Sequence, residues 1–144
     1  MSNEPWSAER MYELGSLHAR LEAERRLEPL LETLSADPVY EFYPLGKSLR
    51  GGDRVRRYYE QFFTGFMESI AGYELRDEWV NAMSVVQEYD ITVRTDDALE
   101  THRVVGILCA DGSSGVLGGE RIYGSERIVR LMLGPLFGEL EDLN

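Results

Sequence analysis

The residues able to do chemistry in this chain are two histidines, a few carboxylates and a surplus of tyrosine. His18 falls inside a helical stripe of Met11, Leu14, Leu17 and Leu21, on its apolar side. An imidazole there titrates near neutrality and can move a proton in a pocket. The same position also suits a structural histidine bonded to a carbonyl or to Glu22, which lies four residues on and within reach along a helix. As a metal pair the two fall short, because a site needs three or four ligands; no metal and no cofactor is expected.

Glu88 and Asp90 are two apart on a candidate strand and share one face. If that face is concave, burial raises their proton affinity and makes a useful base. A turn pairing Thr95 with Glu100 puts Arg103 diagonal to Asp90 on the same face, which gives an ion pair inside or outside. Val85, Tyr89, Ile91 and Val93 form the more apolar set and compete for the interior. On that pairing His102 lies opposite Val93, away from Asp90, either in a pocket or at an exposed strand end. Tyr40, Tyr43, Tyr58, Trp79 and Tyr89 are aromatics with a polar tip, suited to lining a ligand pocket, or equally to plain core packing. Tyrosine outnumbers phenylalanine, 8 to 5, which tilts the reading towards a pocket containing hydroxyls.

The elements that must position these residues follow from periodicity. A first helix is predicted from Ser7, a plausible N-cap, to about Arg26, and a short second one has Pro29 in its first turn. Val39 to Tyr43 reads as a strand and Leu45 to Gly52 as a loop. Asp53 then caps a helix in which Val55, Tyr58, Tyr59, Phe62, Phe63, Phe66, Met67 and Ile70 keep strict helical spacing. From Tyr73 the period is two, giving strands at 73–82, 85–94, 102–109 and 115–123, with Asp111-Gly112 as a hairpin turn. Ser125 caps a last helix, stopped by Gly134-Pro135, and the ends at about 1–6 and 138–144 are expected to be loose. Helices followed by an antiparallel meander mean one α+β domain over 1–144. Gly106, Gly118 and Gly119 permit strong bending, so the sheet is expected to curl around the aromatic helix as a cone.

Composition narrows the partners. With a net charge of -11 the chain repels phosphate backbones and anionic lipid, so neither nucleic acid nor membrane is expected. No apolar run approaches the roughly 18 residues of a membrane span. One cysteine, Cys109, forbids an internal disulfide and suits a cytoplasmic protein.

Several segments together resemble SnoaL-like proteins of the nuclear transport factor 2-like superfamily. They are His18-x3-Glu22-x-Glu24, 34–40 (LSADPVY), 51–59 (GGDRVRRYY), 104–108 (VVGIL) and 119–123 (GERIY), within residues 14–133. The resemblance implies a curved mixed or antiparallel sheet on N-terminal helices, a deep apolar pocket and a homodimer through the outer sheet face. It also implies relatives such as polyketide cyclases, ketosteroid isomerases, scytalone dehydratase and limonene epoxide hydrolase. Tyr123 is followed by Gly124 and Ser125 where cyclase-like members often carry an acid. Glu88 and Arg121 stand where the epoxide hydrolases have an arginine and a second aspartate. The function so implied is a cofactor-free lyase, isomerase or cyclase acting on a small hydrophobic carbonyl or hydroxylated substrate, with Asp90 or His18 as base. The alternative is a binding module of the same fold. Two or more titratable groups meeting in a closed pocket favour the enzyme; an all-apolar lining favours the binder.

Overall fold

The computed structural model describes residues 5–143. Ser7 caps α1 (Ala8–Ala23), its Oγ accepting the Arg10 amide at 3.1 Å. The buried line of α1 is Met11, Gly15, His18 and Leu21, rotated from the leucine stripe. Gly15 is the reason: a Cβ there would sit 2.9 Å from Val85 Cγ2, so glycine lets the helix lie close against the sheet. After α2 (Leu27–Glu32) comes β1 (Leu34–Tyr43), which starts well before Val39, and β2 (Lys47–Arg50) occupies the segment expected to be a loop.

Helix α3 (Gly52–Gln61) is capped by Gly51 at φ 98, not by Asp53. It runs into a π-helical turn (Phe62–Phe66) and a 3-10 turn (Met67–Ser69), so Ile70 belongs to the next strand. The meander follows as β3 (Ile70–Val80), β4 (Ser84–Arg94), β5 (Leu99–Ala110) and β6 (Leu117–Tyr123), all antiparallel. Asp111 and Gly112 lie in the longer loop 111–116, closed by the Asp111 amide on the Val116 carbonyl at 2.8 Å. Ser125 caps α4 (Glu126–Leu133) through the Ile128 amide at 3.2 Å.

The tail is tied down rather than loose. A 3-10 turn (Gly134–Glu139) leads to β7 (Glu141–Asp142), which pairs with β2, and the Leu143 amide donates to the Gly46 carbonyl at 2.9 Å. Glu139 pairs with Arg57, Glu141 with Arg54, and Asp142 with Lys47. Of the expected loose ends, residues 1–4 and 144 lie outside the described residues.

The seven strands form one curved, unclosed sheet in the order β3-β4-β5-β6-β1-β2-β7, with β1 parallel to β6. Its concave face meets α1, α3 and α4, and the core between them holds Tyr40, Phe42, Val55, Tyr58, Tyr59, Val104, Ile122 and Ile128. No helix among the described residues is long and apolar enough to cross a membrane.

Candidate active site

The cone holds a part-open cavity of about 410 Å³ between the C-terminal half of α1, the turns after α3, and strands β3 to β6. Phe62, Met67, Ile70, Ile91 and Leu108 make its walls apolar, and Ala19 and Ala23 keep the α1 side shallow. Two carboxyls face this space, Glu22 from α1 and Glu120 from β6.

Each is placed by a local feature of the chain. Gly15, His18 and Glu22 follow one another at helical spacing, so the glycine that seats α1 on Val85 also points the next two turns into the cone. Glu120 is directed inward by an irregularity. The β5–β6 register shifts between Cys109 and Ala110, so that Leu117, Glu120 and Ile122 share the concave face despite their uneven spacing. Gly119, at φ 142, makes the shift: a Cβ on it would come within 1.8 Å of the Val39 carbonyl oxygen. Across the ladder Gly106 leaves room for the carboxyl, since a Cβ there would meet Glu120 Oε2 at 2.6 Å.

Both carboxyls hold protons unusually well. Burial pushes Glu22 up from 4.5 to about 7, and a hydrogen bond from Tyr59 partly offsets it. Burial pushes Glu120 to about 8, and the nearby Glu22 charge adds to that. Glu22 keeps 31% of its side chain accessible while lining the cavity. Near neutral pH the pair therefore holds both an acid and a base, titrating as a unit.

Behind Glu22 runs a hydrogen-bond chain with a defined direction. The Thr33 hydroxyl donates to the Leu30 carbonyl at 2.6 Å, so it accepts from His18 Nδ1–H at 2.7 Å. His18 Nε2 is thus the lone-pair nitrogen, 3.2 Å from the Tyr59 hydroxyl. The Tyr40 and Tyr59 hydroxyls are 2.5 Å apart. The single proton of Tyr59 has two takers, His18 Nε2 and Glu22, so the oxygen of Tyr59 accepts from Tyr40. Burial pushes His18 down to about 4, which keeps the imidazole neutral. His18 lines the cavity as a pinned acceptor rather than a free base.

The sequence expectations divide accordingly. Glu88 and Asp90 lie on the convex face, a correction to their expected role as cavity carboxylates. The interior went to Val85, Gln87, Tyr89, Ile91 and Val93, whose burial outweighs anything a charged row offers. Arg103 holds Asp90 through Oδ1 at 2.5 Å and Oδ2 at 3.0 Å, which lowers the Asp90 pKa, and it also reaches Glu88 Oε2 at 3.5 Å. The turn pairs Arg94 with Leu99, two places from the expected register, so Asp90 faces Arg103 directly and His102 faces Ile91. A shift of two leaves the faces unchanged.

His102 stays out of the cavity, 3.0 Å from Glu100 Oε1 and 3.4 Å from Ser125 Oγ. Trp79 is 51% exposed on the convex side, opposite Val86. Tyr43 stacks on Tyr123 at 4.9 Å, also outside. Tyr40 and Tyr58 are core residues next to the cavity, while Tyr89 lines it with Tyr73, their rings 5.2 Å apart. Cys109, expected in the core, is half-buried in a groove beside Glu41 and Arg121.

Glu120 is the residue that sequence reasoning missed. Its signal was the Gly118-Gly119 pair before it, a mark of broken alternation, together with Gly106 across the ladder. Among the described residues no three His, Cys, Asp or Glu side chains converge to hold a metal ion.

No protein-family model and no curated protein matches the chain. Solved structures do. A nuclear transport factor 2-like (NTF2-like) protein from Anabaena variabilis superposes with a TM-score of 0.66 at 15% identity, over 88% of this chain and 95% of that one. A steroid delta-isomerase from Pseudomonas aeruginosa gives 0.65 at 16% identity, over 90% of each chain. An NTF2-like protein of unknown function from Cytophaga hutchinsonii gives 0.63 at 14%, over 90% and 98%. At these identities the likeness is one of fold.

Proposed function

We propose, for a chain that carries the nuclear transport factor 2-like fold, that the cavity is the active site of a cofactor-free acid–base enzyme. The reaction is proton transfer beside a carbonyl or hydroxyl of a small, mostly apolar substrate, as in a lyase, isomerase or cyclase. The observation that carries this is the meeting of Glu22 and Glu120 in one apolar cavity, both with raised proton affinity. An all-apolar interior would have favoured a binding module instead.

The roles follow from the surroundings. Glu22 receives a hydrogen bond from Tyr59, which favours its carboxylate, so it is the base. Glu120 has no such donor and feels the Glu22 charge, so it keeps the proton and offers it to the substrate oxygen as charge develops there. Tyr40, donating to the Tyr59 oxygen, holds Tyr59 in place, and the neutral His18 lies beside it as a second acceptor for the Tyr59 proton. The steroid delta-isomerase shows that a protein of this shape supports such chemistry, an analogy of fold alone.

The test pairs a titration with a reaction. Carboxyl resonances of 13C-labelled glutamate should show two groups titrating near neutrality, one of them lost in each of Glu22→Gln and Glu120→Gln. A panel of small cyclic and β,γ-unsaturated ketones in D2O should show catalysed exchange or isomerisation, slowed at least about 100-fold by Glu22→Gln. Two carboxyls that both titrate below pH 5, or no turnover across the panel, would overturn the reading.

We further propose that two copies pair through the convex face, where Trp79 and Tyr123 are exposed beside Val86, Val105 and Ile107. The single Cys109 suits a reducing compartment, and we place the protein in the cytoplasm on that ground.

A further inference from the structure

The polar groups on the cavity wall are Glu22, Glu120, Gln87, His18 and the Tyr73 and Tyr89 hydroxyls, and among the described residues no lysine or arginine joins them. Glu120 has no hydrogen-bond or ion-pair partner among the described residues, and Glu22 has only neutral Tyr59 and His18 beside it. The Gln87 amide nitrogen donates to Glu78 Oε2 at 2.6 Å, a contact its oxygen would find repulsive, so the Gln87 carbonyl oxygen is the free end. His18 Nε2 already faces the Tyr59 hydroxyl. The titratable groups facing the pair are His18, Tyr40, Tyr58, Tyr59, Tyr73 and Tyr89; burial keeps the phenols protonated, and none brings a positive charge. A part-open cavity with two carboxyls, an amide oxygen, two tyrosine hydroxyls and no cation on its wall favours a guest that supplies positive charge.

We propose that the ligand of this cavity is a small apolar molecule carrying a basic nitrogen, seated between Glu22 and Glu120. An ammonium has three donors for the acceptors on the wall, and Phe62, Tyr73 and Tyr89 offer aromatic surface to a cation and its carbon frame. The proton balance closes without a co-reactant. A neutral amine entering the resting site takes the proton of Glu120: the carboxyl O–H bond breaks, an N–H bond forms, and a carboxylate–ammonium pair remains. A guest entering already as ammonium instead displaces that proton to solvent. Glu22 stays free in either case to take a proton from a neighbouring carbon, so the proposal deepens the acid–base reading and rests on it for the use of the pair. A carboxylate or phosphate guest would meet two carboxyls and no cation, with the Tyr73 and Tyr89 hydroxyls as its neutral donors.

Benzylamine, benzyl alcohol and benzoate share a frame and differ in charge, and calorimetric titration of the intact protein at pH 6.0 and 8.5 separates them. Benzylamine should bind at least about tenfold tighter than benzyl alcohol at pH 8.5, or ~1.4 kcal/mol. Its margin should shrink at pH 6.0, as the carboxyls take up protons, and disappear in Glu120→Gln. Benzoate should not bind. Thermal unfolding of the variant, with a melting temperature near that of the parent, shows that lost selectivity is not lost folding; should it fail to fold, Glu22→Gln serves with the same expectation. Equal binding of the alcohol, binding of benzoate, or binding of none of the three would overturn the proposal. These outcomes are separable from the enzyme reading: carboxyls that titrate near neutrality in a site indifferent to amines sink only the nitrogen. Amine preference with carboxyls titrating below pH 5 sinks only the acid–base pair.

Discussion

Glu120 owes its surroundings to two glycines and, among the described residues, to having no hydrogen-bond partner. Gly119 turns the strand so that the carboxyl points inward, and Gly106 leaves the space it fills. The cost of burying two such groups has a sign that can be measured. Glutamate ordinarily titrates at 4.5, and here the fold holds the protons of Glu22 and Glu120 up to about 7 and about 8. Unfolding therefore releases protons between those limits, and stability falls as pH rises through that window. His18 acts the other way. Its folded pKa drops from 6.5 to about 4, so unfolding takes up a proton below 6.5 and stability falls as pH drops towards 4. Of these three groups, only the carboxyls contribute above pH 6.5. Urea unfolding at pH 6.5 and 8.5 should show a less stable parent at 8.5, and a smaller difference in Glu22→Gln/Glu120→Gln. A parent equally stable at both would remove the raised proton affinity.

At the scale of elements, the site depends on how β1, β6 and α1 approach one another. β1 and β6 run parallel with a register shift between Leu34 and Val39, where Gly119 lies so close to Val39 that no side chain fits. Gly119→Ala forces both a disfavoured φ and a backbone clash. It should cost about 3 kcal/mol or more, against the ~1 kcal/mol typical of point changes. Chemical denaturation checks the value; a loss under 1 kcal/mol would mean that the strands separate easily and that Glu120 is not held by this contact. Helix α1 offers a parallel case, since Gly15 gives up helix propensity to bring His18 and Glu22 over the cavity.

For the whole molecule, the convex face is where an unclosed single sheet leaves apolar surface in water. Its charged row is already satisfied within the chain, because Asp90 and Glu88 pair with Arg103 and Arg76 also reaches Asp90. Trp79 and Tyr123 are left over. Light scattering at micromolar concentration should give the dimer mass for the parent and the monomer mass for Ile107→Glu, with the cavity titration unchanged. Monomer mass for the parent would refute the pairing.

Period alone determined a good deal of this protein. The 3-4 spacing from Val55 to Phe66 and the alternation from Tyr73 onwards identify helix and meander, because amphipathic repeats have to bury one face. The same patterns located the curved α+β fold and singled out His18 with Glu22 on one helix face. Only the tertiary structure decided which sheet face is concave, since Glu88/Asp90 and Tyr89/Ile91 alternate equally well until a helix covers one side. It alone showed β2 and β7: β2 is a short hairpin partner of β1 and β7 a two-residue, non-local partner of β2, too short to leave an alternation in the sequence. And it alone joined Glu22 to Glu120: they are far apart in sequence, and a single irregular residue pair at Gly118-Gly119 reverses which side of β6 looks inward.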